Sequence, residues 1–187
     1  MRYMLFGFPL RFTLQALNPR SNIYRALEIN PGVGVYYDPK RIYVRNLEVP
    51  SGNGIGTARG IAHAYSVFAT DGGALGVRRQ TLDLLAAPAV APTRGFYDEC
   101  LKGEGVQFSL GFMKPSEGWP FGSSPACYGS PGAGGSLGFA DPAASVGYAY
   151  VTSRMGTNLT GDPRDVALRA ALYSAIRDLP SGQRRVA

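Results

Sequence analysis

Residues 128–142 read Tyr128-Gly129-Ser130-Pro131-Gly132-Ala133-Gly134-Gly135-Ser136-Leu137-Gly138-Phe139-Ala140-Asp141-Pro142, and an apolar run from Val146 to Val151 follows. Five glycines fall within the first eleven of these residues. Glycine lacks Cβ, so a run this dense marks a place where another backbone or a ligand comes close, and Asp141-Pro142 is a turn signal joining two short strands. The stretch predicts a strand lining a site. A glycine-rich hairpin with no site is the alternative use of the same residues.

Working outward, Val146 to Ser153 is apolar on both faces, as expected of an inner strand. Upstream, Val106, Phe108, Leu110 and Phe112 alternate with Gln107, Ser109 and Gly111, the period of a half-buried strand. Downstream, Asp162-Pro163 supplies an N-cap and a proline at the first helical position, and Leu168, Leu172, Ala175, Ile176 and Leu179 form a stripe ending at Pro180. This amphipathic helix is expected to lie across the sheet with Leu172 as its anchor. A further helix is predicted over about 57–70, with Thr57 as N-cap, Ile61, Ala64, Tyr65 and Phe68 at helical spacing, and Asp71-Gly72-Gly73 as its stop. Another spans Arg79 to Ala87, stopped by Pro88.

The elements divide the chain into a loop-rich connector (1–56), a helical part (57–104), antiparallel strands plus a C-terminal helix (105–180) and a tail (181–187). Three antiparallel strands covered by the terminal helix, with a helical segment before them, make an α+β fold.

Bulk properties narrow the function. A chain of 187 residues with 45% apolar content can build a core of its own. The net charge of +6 comes from arginines scattered from Arg2 to Arg185, with no stripe and no nucleic-acid motif, so no nucleic-acid partner is expected. Cys100 and Cys127 are too few for a disulfide framework and lack C-x-x-C spacing; whether they pair is left open. With His63 the single histidine, neither a metal nor another cofactor is expected. Met1 to Leu10 is short and broken by Gly7 and Pro9, so no membrane span is expected and a soluble chain is the default, with the cytoplasm favoured. Asn158-Leu159-Thr160 is a glycosylation sequon only if the chain is secreted.

Two blocks carry a resemblance. Ser130-Pro131-Gly132 and the glycines after it resemble the third active-site motif, K-T-G or H-x-G, of the serine β-lactamase, penicillin-binding protein and related esterase superfamily. Ser51-Gly52-Asn53-Gly54-Ile55-Gly56-Thr57-Ala58-Arg59-Gly60 resembles the N-G-x-G-T-A-R segment that opens a helix in the esterase-like members, on the class C β-lactamase-related branch. The resemblance implies a β-lactamase/transpeptidase-like fold, incomplete here, of which this chain looks like the C-terminal portion. It also implies site residues: Ser130, Gly132 and Ala133 as the third-motif strand, the Ala133 N–H being one oxyanion donor, with Tyr128, Pro131, Gly134 and Gly135 against a small ester or amide substrate. Ser130 stands where relatives carry Lys or His, which removes a cation that would engage a β-lactam carboxylate and favours esters.

The family's nucleophile is a serine whose proton passes to a lysine three residues later on the same helix face. The three lysines, Lys40, Lys102 and Lys114, are preceded at that spacing by Tyr37, Glu99 and Gly111, so S-x-x-K is absent. No tyrosine sits two before an asparagine, and Ser51-Gly52-Asn53, a formal S-x-N, lies inside the N-G-x-G block. Two expectations follow: a carboxylesterase-like hydrolase portion that does not turn over substrate alone, or a non-catalytic binding or scaffolding remnant of the same fold. Gly134-Gly135-Ser136-Leu137-Gly138 is also a literal G-x-S-x-G, but a nucleophile elbow needs a helix after the serine and a strand is expected here. Gly52-Asn53-Gly54-Ile55-Gly56 lacks the G-K-[ST] ending of a phosphate loop. An incomplete sheet leaves an exposed edge, so self-association is expected.

Overall fold

The computed structural model describes residues 10–27, 55–98, 103–132, 134–156, 158 and 160–180. Helices α1 (Leu10–Ala16) and α2 (Asn22–Leu27) pack on each other. Helix α3 (Ala58–Ala69) begins where Thr57 caps it, the hydroxyl accepting from Gly60 N at 3.1 Å, and ends at Gly72, whose φ of 72° lets its N–H reach Val67 O. Helix α4 (Arg79–Ala86) follows. A two-residue ribbon, β1 (Tyr97–Asp98) with β2 (Gly103–Glu104), lies between α4 and the main sheet in the chain, inside the part expected to be helical.

The main sheet is antiparallel throughout, in the order β3-β4-β5-β6-β7: Phe108–Ser109, Phe112–Met113, Tyr128–Pro131, Leu137–Asp141 and Val146–Tyr150. The register Ser130↔Gly138↔Ala149 and Tyr128↔Ala140↔Gly147 places these residues on one face. That face takes α3 and α4. Tyr128 and Ala140 meet Ala69, Leu82 and Leu85 there, and the Phe112 and Tyr128 rings lie 5.5 Å apart edge to face. On the other face Leu137 and Phe139 meet Phe121, Cys127, Tyr148 and Tyr173, the last from helix α5 (Pro163–Asp178). The expected α+β architecture, an antiparallel sheet with helices on it, is the one observed.

Three expectations need correction. The alternating run 106–112 is a hairpin instead of one strand: Leu110 (φ 47°) and Gly111 (φ 87°) form a two-residue turn with both φ positive, and Ser109 pairs with Phe112. The alternation continues through the turn because Leu110 occupies a position that usually carries Asn or Gly. Among the described residues the sheet consequently has five strands, not three. Nor is the run Val146 to Ser153 an inner strand among the described residues: β7 pairs there with β6 alone, and its apolar faces come from α3 above and α5 below. Finally, α5 does not dock by the Leu168–Leu179 stripe. Leu168 is 53% exposed and Leu172 only half-buried beside an open groove, so the 2–5 kcal/mol cost typical of a buried leucine does not apply at Leu172. The helix is tied to the sheet by polar groups: Tyr148 donates to Asp165 at 2.9 Å and Tyr173 donates to Asp141 at 2.6 Å, while Arg169, one turn along the same helix, donates to the Asp165 carboxylate at 2.8 Å and holds it in place.

Lys114 is the least expected member of the core. It is 2% exposed, donates to Leu85 O, Ala86 O and Ala126 O at 3.0–3.2 Å, and lies 5.5 Å from the Tyr128 ring centre. Its charge thus satisfies the carbonyl end of α4, which has no glycine cap. Burial lowers its pKa to about 8. In the unfolded chain the ammonium titrates near about 10.4, so between these values the unfolded state holds more protons and stability rises with pH. Thermal melts from pH 7.5 to 10 are expected to show this rise in the wild type and a flatter profile in Lys114→Met; parallel profiles would contradict the assignment.

Candidate functional site

The ribbon at residues 128–136 is built by β5, the turn after it and the start of β6. Its first two residues belong to the core. Tyr128 has no exposed surface with which to touch a substrate, and its hydroxyl donates to Phe68 O at 2.8 Å. Gly129 is buried because Phe139, directly opposite it on β6, fills the space a Cβ would need.

The next residues open outward. Ser130 is exposed, with its hydroxyl 3.8 Å from Met113 Sδ and 3.3 Å from Pro131 O, neither of them a base able to take its proton. Pro131 and Gly132 are half-buried. Gly132 N donates to Ser136 O at 2.6 Å and Gly135 N to Gly132 O at 3.1 Å, which closes a tight turn. Ala133 lies outside the described residues, as do Ser51 to Gly54 of the N-G-x-G block.

Gly134 and Gly135 are buried under the segment that leads into α5. Both have positive φ, 93° and 103°, a region only glycine occupies without strain. A Cβ on Gly134 would lie 2.9 Å from Met155 Cε, and one on Gly135 would lie 2.5 Å from Asp162 Oδ2. These glycines therefore meet protein where the resemblance implies substrate. Beneath them, the recess lined by Pro131, Gly135, Ser136, Asp162, Asp165 and Arg169 has a volume of about 10 Å³. That holds about one water. A recess of that size has no room for an ester or amide, and the part of the ribbon that opens outward is Ser130–Gly132.

Residues that the sequence did not connect with the ribbon lie against it. Asp162 caps α5 through Arg164 N and pairs with the Arg164 guanidinium by two bonds, 2.9 and 2.6 Å, while Arg164 Nη1 reaches Arg154 O. These bonds from Arg164 hold the Asp162 carboxyl below its usual range. Asp162-Pro163 signals a helix start; nothing in the sequence signals that the cap also touches the ribbon.

Ser136 is followed directly by β6 and accepts from Thr152 N at 3.4 Å, so the strand–turn–helix of a nucleophile elbow is not formed. His63 is exposed on α3. Cys127 is buried with a free thiol, and Cys100 lies outside the described residues. Among the described residues no metal-binding cluster of His, Cys, Asp or Glu gathers, and no helix is long and apolar enough to cross a membrane.

No protein-family model matches the chain. Over 143 residues it is 30% identical to the esterase/β-lactamase LipL of Mycobacterium tuberculosis, a match that covers 74% of this chain and 30% of LipL. The crystal structure of a family VIII carboxylesterase superposes with a TM-score of 0.58 at 35% identity, covering 70% of this chain and 34% of the esterase. A penicillin-binding protein homologue from Caulobacter crescentus superposes with a TM-score of 0.61 at 32% identity, covering 79% of this chain and 41% of the homologue. The matches thus take in only 30–41% of the length of these relatives.

Proposed function

Because the chain belongs to the esterase/β-lactamase-like hydrolases of the serine β-lactamase and penicillin-binding-protein-like superfamily, we propose that it is the C-terminal portion of a carboxylesterase-like acyl hydrolase. Its Ser130–Gly132 segment forms one wall of the reaction site. The nucleophilic serine and its lysine base belong to polypeptide beyond these residues, since S-x-x-K is absent from the sequence.

The observation that carries this reading is the exposure pattern of the ribbon. Among its described residues Ser130 alone is exposed, with Pro131 and Gly132 half-buried beside it, and this is where the resemblance puts the catalytic triplet; Tyr128, Gly129, Gly134 and Gly135 are buried and Ser136 is half-buried. In the proposed reaction the serine Oγ attacks the ester carbonyl as its proton passes to the lysine, the alcohol leaves, and water then releases the acid. The tetrahedral oxygen is held by the nucleophile's own N–H and by that of Ala133. Ser130 offers a neutral hydroxyl in place of the family's cation, so neutral esters are favoured over carboxylate-bearing β-lactams.

With p-nitrophenyl butyrate, the isolated chain is expected to give no turnover, and activity is expected once an S-x-x-K-bearing remainder from a relative is supplied. Robust turnover by the chain alone, lost in Ser136→Ala, would overturn this in favour of the elbow. No turnover under either condition would leave the binding or scaffolding remnant as the reading. Among the described residues β7 pairs on one side alone, which extends the proposal to self-association: Val146–Tyr150 carries no charge and no proline to discourage pairing. Light scattering should give a mass that rises with concentration, and a constant monomer mass would remove that part.

A further inference from the structure

We propose that Arg164, acting through Asp162, is a positioning residue that fixes the turn following Ser130–Gly132; its consequence for catalysis rests on the functional reading above. Three segments meet at this pair. The turn presents Gly134 and Gly135, residues 154–156 cross it, and residues 162–164 begin α5. Gly156 N donates to Gly134 O at 2.7 Å, tying the crossing segment to the turn. A Cβ on Gly156 would lie 2.6 Å from Asp162 Oδ2 and 2.9 Å from Arg164 Nη2, and one on Gly135 would lie 2.5 Å from the same carboxylate oxygen. Both glycines therefore press their backbone against one carboxylate.

Asp162 is 4% exposed, and its two oxygens are held in one orientation by the Arg164 fork. Arg164 Nη1, on Arg154 O at 3.1 Å, locks the crossing segment to the same fork. A lysine could supply the charge and three donors, but all from one nitrogen, not the planar fork that meets both carboxylate oxygens of Asp162 and Arg154 O at once. An ordinary helix cap requires only the Asp162 side chain and the Arg164 N–H. The fork, the two glycines and the Gly156 bond are additional to it, and all of them converge on residues 134–135. The turn carries the chain on both sides of Ala133, so a wall that must hold an oxyanion donor in place depends on this clamp, at a cost of up to about a hundredfold in rate for a misplacement near 1 Å.

Amide exchange by NMR tests the clamp on the chain itself. In Arg164→Ala, exchange at Gly132 N and Gly135 N is expected to rise at least about tenfold while the amides of β6 and α3 are unchanged, with partial rescue in Arg164→Lys. Unchanged exchange at these two glycines overturns the proposal. If Arg164→Ala does not fold, Gly156→Ala, which crowds the same pair while leaving the cap residues in place, serves in its stead with the same two outcomes. In the reconstituted hydrolase, Arg164→Ala should lower kcat with KM unchanged. Equal loss across kcat and melting temperature would mark a merely structural role and overturn it. A reconstituted wild type without turnover would count against the functional reading, and the exchange result would still decide the clamp.

Discussion

Gly147→Ala is expected to lower the stability of the fold by about 3 kcal/mol or more, the upper range of overpacking costs, and a chemical-denaturation curve measures it directly. The reason lies in how α3 meets the sheet. Its closest neighbours are β7 and β6, and the approach is backbone to backbone: a Cβ at residue 147 would enter the van der Waals envelopes of Ser66 N and Ala62 O. Those atoms belong to the helix ladder and cannot rotate aside as a side-chain tip would. At Gly138 the atoms facing an added Cβ are instead Tyr65 Cε2 at 2.6 Å and Ile61 Cγ2 at 3.0 Å, both in side chains. Gly138→Ala is accordingly the milder change. A Gly147→Ala variant with an unaltered midpoint would mean that α3 does not sit on β7 as described.

Asp141→Ala is expected to cost about 3–5 kcal/mol at neutral pH, because it leaves several buried donors without an acceptor at once. The carboxylate is fully buried and accepts from Ser123 N at 2.8 Å, Ala143 N at 3.1 Å, Ala144 N at 3.2 Å and the Tyr173 hydroxyl at 2.6 Å. It joins the β6–β7 turn, the loop before β5 and the terminal helix. Burial by itself would raise its pKa, but the hydrogen bonds from Tyr173, Ser123 and Ala144 outweigh burial and hold it below the usual value. The sign follows: the stabilisation is complete above the unfolded carboxylate pKa of about 3.9 and is lost as pH falls through the lower folded value. Asp141→Asn should therefore weaken the fold at pH 7 and flatten its acid limb below about pH 4. An acid limb identical to that of the wild type would show that the carboxylate is not ionised in the fold.

The sequence announced the elements whose causes are local. Thr57 and Asp162-Pro163 cap helices through side chains within three residues of the bonds they make, so their spacing alone identified α3 and α5. The glycine ribbon was legible as a place of close approach, and the resemblance of residues 130–132 led to the family. What approaches was not legible. Gly138 and Gly147 admit a helix, and Gly135 admits a carboxylate that lies 27 residues along the chain. Those contacts are tertiary, and no period or motif encodes them. Tyr128, next to the motif in sequence, points to the opposite face from Gly129 because strand residues alternate, and so it joins the core. The Leu110-Gly111 turn was hidden for a different reason: a leucine holds a positive φ, against the residue preferences on which turn signals rest.

The central claim is that the Ser130–Gly132 segment, exposed at Ser130, borders a reaction site completed by another stretch of polypeptide. The most direct measurement is p-nitrophenyl butyrate hydrolysis by the chain reconstituted with an S-x-x-K-bearing remainder, comparing the wild type with Gly132→Val. The account predicts turnover only in the reconstituted wild type, with Gly132→Val abolishing it while the chain stays folded. Undiminished turnover in Gly132→Val would contradict the account.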